Sequence, residues 1–261
     1  MLKRFSRWIA ILLLPIFLAA CDTAEERAEE HFEKGMALLE AGDVDRALLE
    51  FRNVFKLNGF HREARLAYAQ TQEGRGALQE AIGQYLRLVE QYPEDLEGRR
   101  ALSRLFADLN NWAEVDTHLE VAEELAPQDP VVQSVRAGLD YRNAILNNES
   151  TVADLAVQVS QTLIAEHPEL KSASRVVIDD LIRRQDWHDA LAAIDEALAV
   201  DEERQLFMLR LAVLEQLGRS DEIVEQLKVM EDRFPNEGIH GAVVKRLVEA
   251  GRLEEAESYL R

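Results

Sequence analysis

The sequence predicts an all-α chain of about seven tandem helical hairpins stacked side by side, the last one incomplete, and three observations carry that prediction. Of 261 residues, 47% are hydrophobic but only 12 are Gly and 6 are Pro. The chain can therefore bury a core, yet it lacks the turn residues that many short strands would need. Apolar and small residues recur every 34 residues in several columns, a spacing that fits one helix–turn–helix unit. Turn residues fall in the same phase and mark the breaks between helices. The balance is acidic, 49 Asp+Glu against 30 Lys+Arg for a formal charge of −19. Such a surface repels phosphate backbones and anionic head groups, so no nucleic-acid partner is expected.

Residues 1–20 read as an address. Lys3, Arg4 and Arg7 precede an apolar run from Ile9 to Leu18 that ends in the small residues Ala19 and Ala20. Basic start, short apolar core and small exit are the layout of a secretory signal. A helix from Ile9 to Ala20 would be about 18 Å long, too short for a hydrocarbon core of about 30 Å, and Pro15 interrupts it. The stretch Leu18-Ala19-Ala20-Cys21 resembles the lipobox of bacterial lipoproteins. That resemblance implies cleavage before Cys21, a diacylglycerol on its sulfur and an acylated new N-terminus; the other reading is an ordinary secretory signal with an incidental cysteine. Two or more acyl chains hold a membrane where one binds only marginally. Cys21 is the one cysteine of the chain, so no intramolecular disulfide can form. Removing residues 1–20 takes three positive charges and no negative ones, lowering the formal charge to −22. Asp22 follows the cysteine and, by resemblance to the sorting rule of enteric-type bacteria, leans the address toward the inner rather than the outer membrane.

Asp22–Arg27 is expected to be a polar tether, and the periodic part then runs from residue 28 to 261. Ala47, Ala81 and Val115 form one column, Phe51, Tyr85 and Leu119 a second, and Val54, Leu88 and Ala122 a third. Gly35, Ala69 and Ser103 make a column of small residues. Gly42, Gly76 and Asn110 mark the hairpin turns, and Gly59, Pro93 and Pro127 the unit ends. These residues resemble the tetratricopeptide repeat. The resemblance implies a right-handed α-solenoid of hairpins, close helix approach at the small residues, and an aromatic or Leu filling the gap between neighbours. The aromatic usual near the start of that motif is replaced by His31, Arg65 and Arg99.

Units are expected near 28–61, 62–95, 96–129, 130–170, 171–203, 204–236 and 237–261. In the fourth, Ala156, Ser160 and Leu163 occupy the second-helix columns, but Pro168 arrives about seven residues late. The polar run Asn147-Asn148-Glu149-Ser150 is the expected place of the extra length, as a loop. The fifth unit carries Asp186-Trp187, Ala190, Ile194 and Ala197. The sixth carries Gly218, Ile223, Leu227, Met230 and Pro235, and the seventh Gly251, Ala256 and Leu260. Arg261 falls inside a second helix with no capping helix after it. The sequence thus reads either as the N-terminal part of a longer protein or as an end covered by a partner.

No catalytic constellation stands out. The six histidines are scattered without the i,i+4 spacing of helical metal ligands, and no phosphate loop, nucleophile elbow or C-x-x-C pair occurs. No metal, cofactor or enzymatic activity is expected. Trp112 and Trp187 read as core residues at the hairpin turns.

By the tetratricopeptide resemblance, the first helices line a concave face that holds a peptide or helix of another protein. Its groove positions map onto Phe32, Met36 and Leu39, then Leu66, Gln70 and Glu73, then Arg100, Arg104 and Ala107, with Arg175, Asp179 and Ile182 from the fifth unit. Apolar residues would adapt to a partner and the arginines fork onto its carboxylates. The function implied is a lipid-anchored periplasmic scaffold for protein partners, similar to repeat lipoproteins of exopolysaccharide export, pilus assembly or other envelope assembly. Two alternatives are a substrate-recruiting arm of a longer enzyme and a module that oligomerises through its uncapped end.

Overall fold

The computed structural model describes residues 23–235 and 237–260. Fourteen helices and no strand occur among the described residues, as the composition predicts. They form two compact units, divided between Gly98 and Arg99. The first unit holds α1 (Ala24–Glu40), α2 (Val44–Leu57), α3 (Arg62–Gly74) and α4 (Leu78–Gln91). Helix α5 (Leu96–Asp108) begins at its end and belongs mostly to the second. The second continues with α6 (Trp112–Leu125), α7 (Pro130–Asn147), α8 (Ser150–Glu166), α9 (Lys171–Arg184) and α10 (Trp187–Val200). It closes with α11 (Arg204–Gln216), α12 (Ser220–Arg233), α13 (Glu237–Glu249) and α14 (Leu253–Tyr259). Odd-numbered helices are the first arms of hairpins and even-numbered ones the second.

Helix α1 starts earlier than the expected tether allows. Thr23 accepts from the Glu26 amide at 3.1 Å while the Glu26 carboxylate takes the Thr23 amide at 2.6 Å, a reciprocal capping box. Residues 24–27 are therefore helical, and the signature Thr-x-x-Glu was present in the sequence to say so.

The turns repeat one backbone device. Each hairpin reverses through a left-handed residue: Gly42, Gly76, Asn110, Asn148, Gln185, Gly218 and Gly251, with φ between 57° and 77°. Ending a helix this way satisfies its last carbonyls, and glycine adopts the conformation without a Cβ penalty. Asn110 hands its own amide to Ala107 and the next amide to Phe106. The intervals between these turns are 34, 34, 38, 37, 33 and 33 residues. The repeat is thus regular except around α7 and α8, of 18 and 17 residues where most other arms have 13 or 14.

This corrects the expected loop at residues 147–150. Only Asn148 and Glu149 lie outside helix there, and the extra length has gone into about one added turn on each arm. A loop would have left backbone polar groups to water; helix extension satisfies them within the arms.

The core follows the columns. Ala47, Ala81, Val115, Phe51, Tyr85, Leu119, Val54, Leu88 and Ala122 are all buried, as are Ala156, Leu163, Ala190, Ile194, Ile223, Leu227, Met230 and Ala256. The small column works by close approach. A Cβ on Gly35 would sit 2.6 Å from Cε1 of Phe51, so glycine is what lets α1 lie against α2.

A polar column of Glu50, Gln84 and His118 runs beside the apolar ones and meets His31, Arg65 and Arg99. His31 Nδ1 meets Glu50 at 2.6 Å, Arg65 donates to Gln84 at 2.8 Å, and Arg99 donates to Nδ1 of His118 at 3.0 Å. Each pair joins the first arm to the second across 19 residues. Of His31, Arg65 and Arg99, Arg65 is the most buried, at 3% exposure. Its guanidinium lies 4.7 Å over the Phe55 ring and also donates to the Gly59 carbonyl and the Gln91 amide. Arg65 thereby fills the volume of the missing aromatic with a charge whose hydrogen bonds are met.

Candidate functional site

The second unit contains an open trough of about 500 Å3 lined from α5, α7, α9 and α11 and by Trp112 at the start of α6. First arms supply most of its wall because their side chains at i, i+3 and i+4 share a face. Tyr141, Ile145 and Leu146 come from α7, Val176, Asp179 and Ile182 from α9, and Leu206 and Leu209 from α11. Leu146 is 63% exposed, a large apolar side chain standing in water at the lip. Arg142, Ile145 and Leu146 all stand near the C-terminal end of α7, where the helix outruns its equivalents. The lengthened arm builds the wall of the trough.

Of the expected groove residues, the structure brings Ala107, Arg175, Asp179 and Ile182 to this trough. The arginines are already engaged within the chain. Arg175 reaches Asp108 at 2.6 Å and Glu203 at 3.1 Å, Arg104 reaches Asp108 at 3.7 Å, and Arg100 donates to Asp129 at 2.8 Å. Lys171 extends the chain of charges by holding both Asp201 and Glu203. Burial pushes the Asp108 carboxyl up, with Arg175 and Arg104 pulling the other way. This network ties α5 and α9 to the start of α11, so these arginines brace the trough.

In the first unit, Phe32 packs inward against Phe51 and His61 with ring centroids 6.1 and 4.9 Å apart, and Leu39 joins the same core. Met36 and Gln70 are exposed and Leu66 is half-buried. Glu73 accepts from the Tyr85 hydroxyl at 3.0 Å. Leu18, Ala19, Ala20, Cys21 and Asp22 lie outside the described residues.

Two residues of the trough, Trp112 and Arg142, acquire roles the sequence did not show, and Asp179 stands where the groove mapping placed it. Trp112, expected as core, is only half-buried and carries the Arg142 guanidinium 5.5 Å from its ring centroid. Arg142 otherwise donates to the neutral amide of Asn143 at 3.0 Å. Asp179 is exposed to the trough, and burial of the surrounding site raises its carboxyl, with the Arg175 charge opposing. By contrast Asp180, on the other side of α9, is buried and taken by Arg183 at 2.6 Å and Arg184 at 2.7 Å.

A second depression of about 480 Å3 lies beside α7 and α8, where Val152, Leu155 and Val159 form an exposed apolar stripe. Its principal cation, Arg136, is already clasped by Glu123. Among the described residues no group of His, Cys, Asp and Glu could hold a metal ion, and no helix is long and apolar enough to cross a membrane.

Stacked hairpins around an open, partly apolar trough define a helical-repeat protein. The tetratricopeptide repeat family model matches residues 32–95 and 178–237, the stretches where tetratricopeptide repeats are detected. The stretch between the matches contains the lengthened hairpin. A tetratricopeptide repeat protein from Parabacteroides merdae is similar over 90% of this chain and 91% of its own, with a TM-score of 0.56 at 13% identity. PilW, a type IV pilus biogenesis factor, is similar over 83% of this chain and 98% of its own, with a TM-score of 0.56 at 14% identity. PilF of Pseudomonas aeruginosa gives a TM-score of 0.52 at 12% identity, over 83% and 96%. No curated protein matches the chain. Repeats of this class are scaffolds for protein–protein interaction.

Proposed function

We propose that the protein is a lipid-anchored scaffold of the bacterial envelope that holds a partner protein in the α5–α7–α9–α11 trough. The trough carries this reading: an open apolar wall with Leu146 in water has the shape and chemistry of a docking face. The lipobox-like Leu18-Ala19-Ala20-Cys21 supports attachment through Cys21, inner membrane before outer on the strength of Asp22. Tethering would raise the local concentration of the repeats for a neighbouring complex. Exopolysaccharide export and pilus assembly are envelope processes such a scaffold would serve, and PilW, similar in fold, is a pilus biogenesis factor.

Two measurements test the proposal. A photo-crosslinking residue at Leu146 should capture a discrete protein in cells, whereas one at the exposed Leu49 on α2 should not. Equal capture from both positions would remove the trough as the docking face. Cys21→Ala should abolish metabolic lipid labelling, and labelling that survives it would sink the anchor.

A further inference from the structure

The trough contains two opposite charges that make no ion pair with another side chain among the described residues. Among the described residues no carboxylate pairs with Arg142 and no cation makes a salt bridge or hydrogen bond with Asp179. This sets them apart in a site whose other charges, Arg175, Glu203 and Arg183, are bound within the chain. Arg142 stands on α7 and Asp179 on α9, two helices that pack against one another. They do not pair with each other, and the Arg142 guanidinium lies 5.5 Å from the Trp112 ring centroid. Ile145, Leu146 and Ile182 line the same trough.

We propose that this part of the trough docks an amphipathic helix of a partner protein, presenting two apolar side chains between an acidic residue for Arg142 and a basic residue for Asp179. The proposal rests on the trough being the binding face and adds the chemistry of its occupant. Charge complementarity selects both ends of the ligand. The apolar residues select its middle, and desolvation on docking strengthens both ion pairs. Neighbouring helix axes lie about 8–10 Å apart. A helix laid across them sets charges at i and i+7, about 10 Å apart, with apolar residues at i+3 and i+4 on the same face. The order matters, because exchanging the two charges puts like against like at both ends.

The experiment uses the full chain in detergent and a fluorescein-labelled 18-residue helical peptide. Its Ala/Gln background carries Glu at i, Leu at i+3 and i+4, and Lys at i+7. Anisotropy should report binding, reduced tenfold or more when Glu and Lys are exchanged. Asp179→Lys should reduce binding tenfold or more and be rescued by replacing the peptide Lys with Glu. Arg142→Glu should behave likewise and be rescued by replacing the peptide Glu with Lys. Helix content by circular dichroism identifies any variant that fails to fold; Arg142→Gln then replaces Arg142→Glu and should cost about half the logarithmic loss. Absence of binding, equal affinity for the charge-exchanged peptide, or failure of both rescues overturns the proposal. Binding that Ile182→Arg abolishes but the charge changes leave alone keeps the trough as docking face and removes the paired-charge occupant.

Discussion

The hairpin α1–α2 and the hairpin α7–α8 are built from the same columns, and they differ in where their apolar side chains end up. In the first, of regular repeat spacing, Phe51 is buried, Gly35 is fitted to its ring, and Phe32 turns inward. In the second, the added turn of α7 carries Leu146 to the end of the arm, where it is 63% exposed, and α8 turns Leu155 to solvent beside the buried Ala153 and Ala156. The regular hairpin leaves Leu49 exposed on its second arm but packs the aromatic rings of both arms inward. The longer one has surface left over for another molecule.

The largest effect that would test this contrast is truncation in the two places. Phe51→Ala should cost about 4 kcal/mol, read as a fall in the urea midpoint of the first unit's unfolding. Leu146→Ala should cost less than about 0.5 kcal/mol and show itself in docking instead. Equal costs would mean that the lip of the trough is core after all. Next comes Gly35→Ala, which forces a Cβ into the Phe51 ring and should cost about 2 kcal/mol.

How much of this was legible in the sequence depends on the kind of signal. The apolar columns, the turn column and the unit ends were readable because each keeps one residue type at a fixed phase. The polar column of Glu50, Gln84 and His118 keeps the phase but changes chemistry from unit to unit. Only the constant 19-residue pairing with His31, Arg65 and Arg99 could have revealed it. The trough was hidden for a different reason. Asn147-Asn148-Glu149-Ser150 has the composition of a loop, so the added length looked like slack rather than helix, and nothing then brought Arg142 and Trp112 to a cavity wall.

Smaller effects sharpen the comparison through pH. The hydrogen bond from Lys34, with His31 adding, holds the Glu50 carboxyl down to about 2 from 4.5. A depressed carboxylate contributes stability that is complete above its unfolded value and is lost as pH falls through the folded one. Glu50→Gln should therefore cost about 1.5 kcal/mol at pH 7 and flatten the stability of the first unit between pH 4.5 and 2. In the second unit, burial and then the Arg99 charge hold the His118 imidazole down to about 4 from 6.5. The unfolded chain takes up that proton first, so stability falls as pH drops from 6.5 toward 4. His118→Gln should remove this slope and leave the Glu50 limb untouched; a slope unchanged in the variant would assign it to another group.

The smallest effect concerns the turns. Gln185 holds φ at 64° where four of the seven hairpins use glycine. Gln185→Gly should raise the unfolding midpoint by up to about 1 kcal/mol equivalent, whereas Gly42→Ala should lower it by a similar amount. A stabilising Gly42→Ala would show that the left-handed turns are not what sets the hairpin ends.

The uneven turn intervals, 38 and then 37 between stretches of 34 and 33, have a consequence for how such a chain can change. Residues added to the outgoing arm are matched by residues added to the returning arm, so the chain comes back to the same level and the next hairpin starts in phase. The hairpin behaves like a drawer pulled out from a cabinet, altering the front without disturbing the shelves. Growth of one arm alone would leave the following unit rotated by about 100° for each residue. Paired insertions of a full turn, as at α7 and α8, are therefore the route by which one member of a uniform row becomes different from the rest.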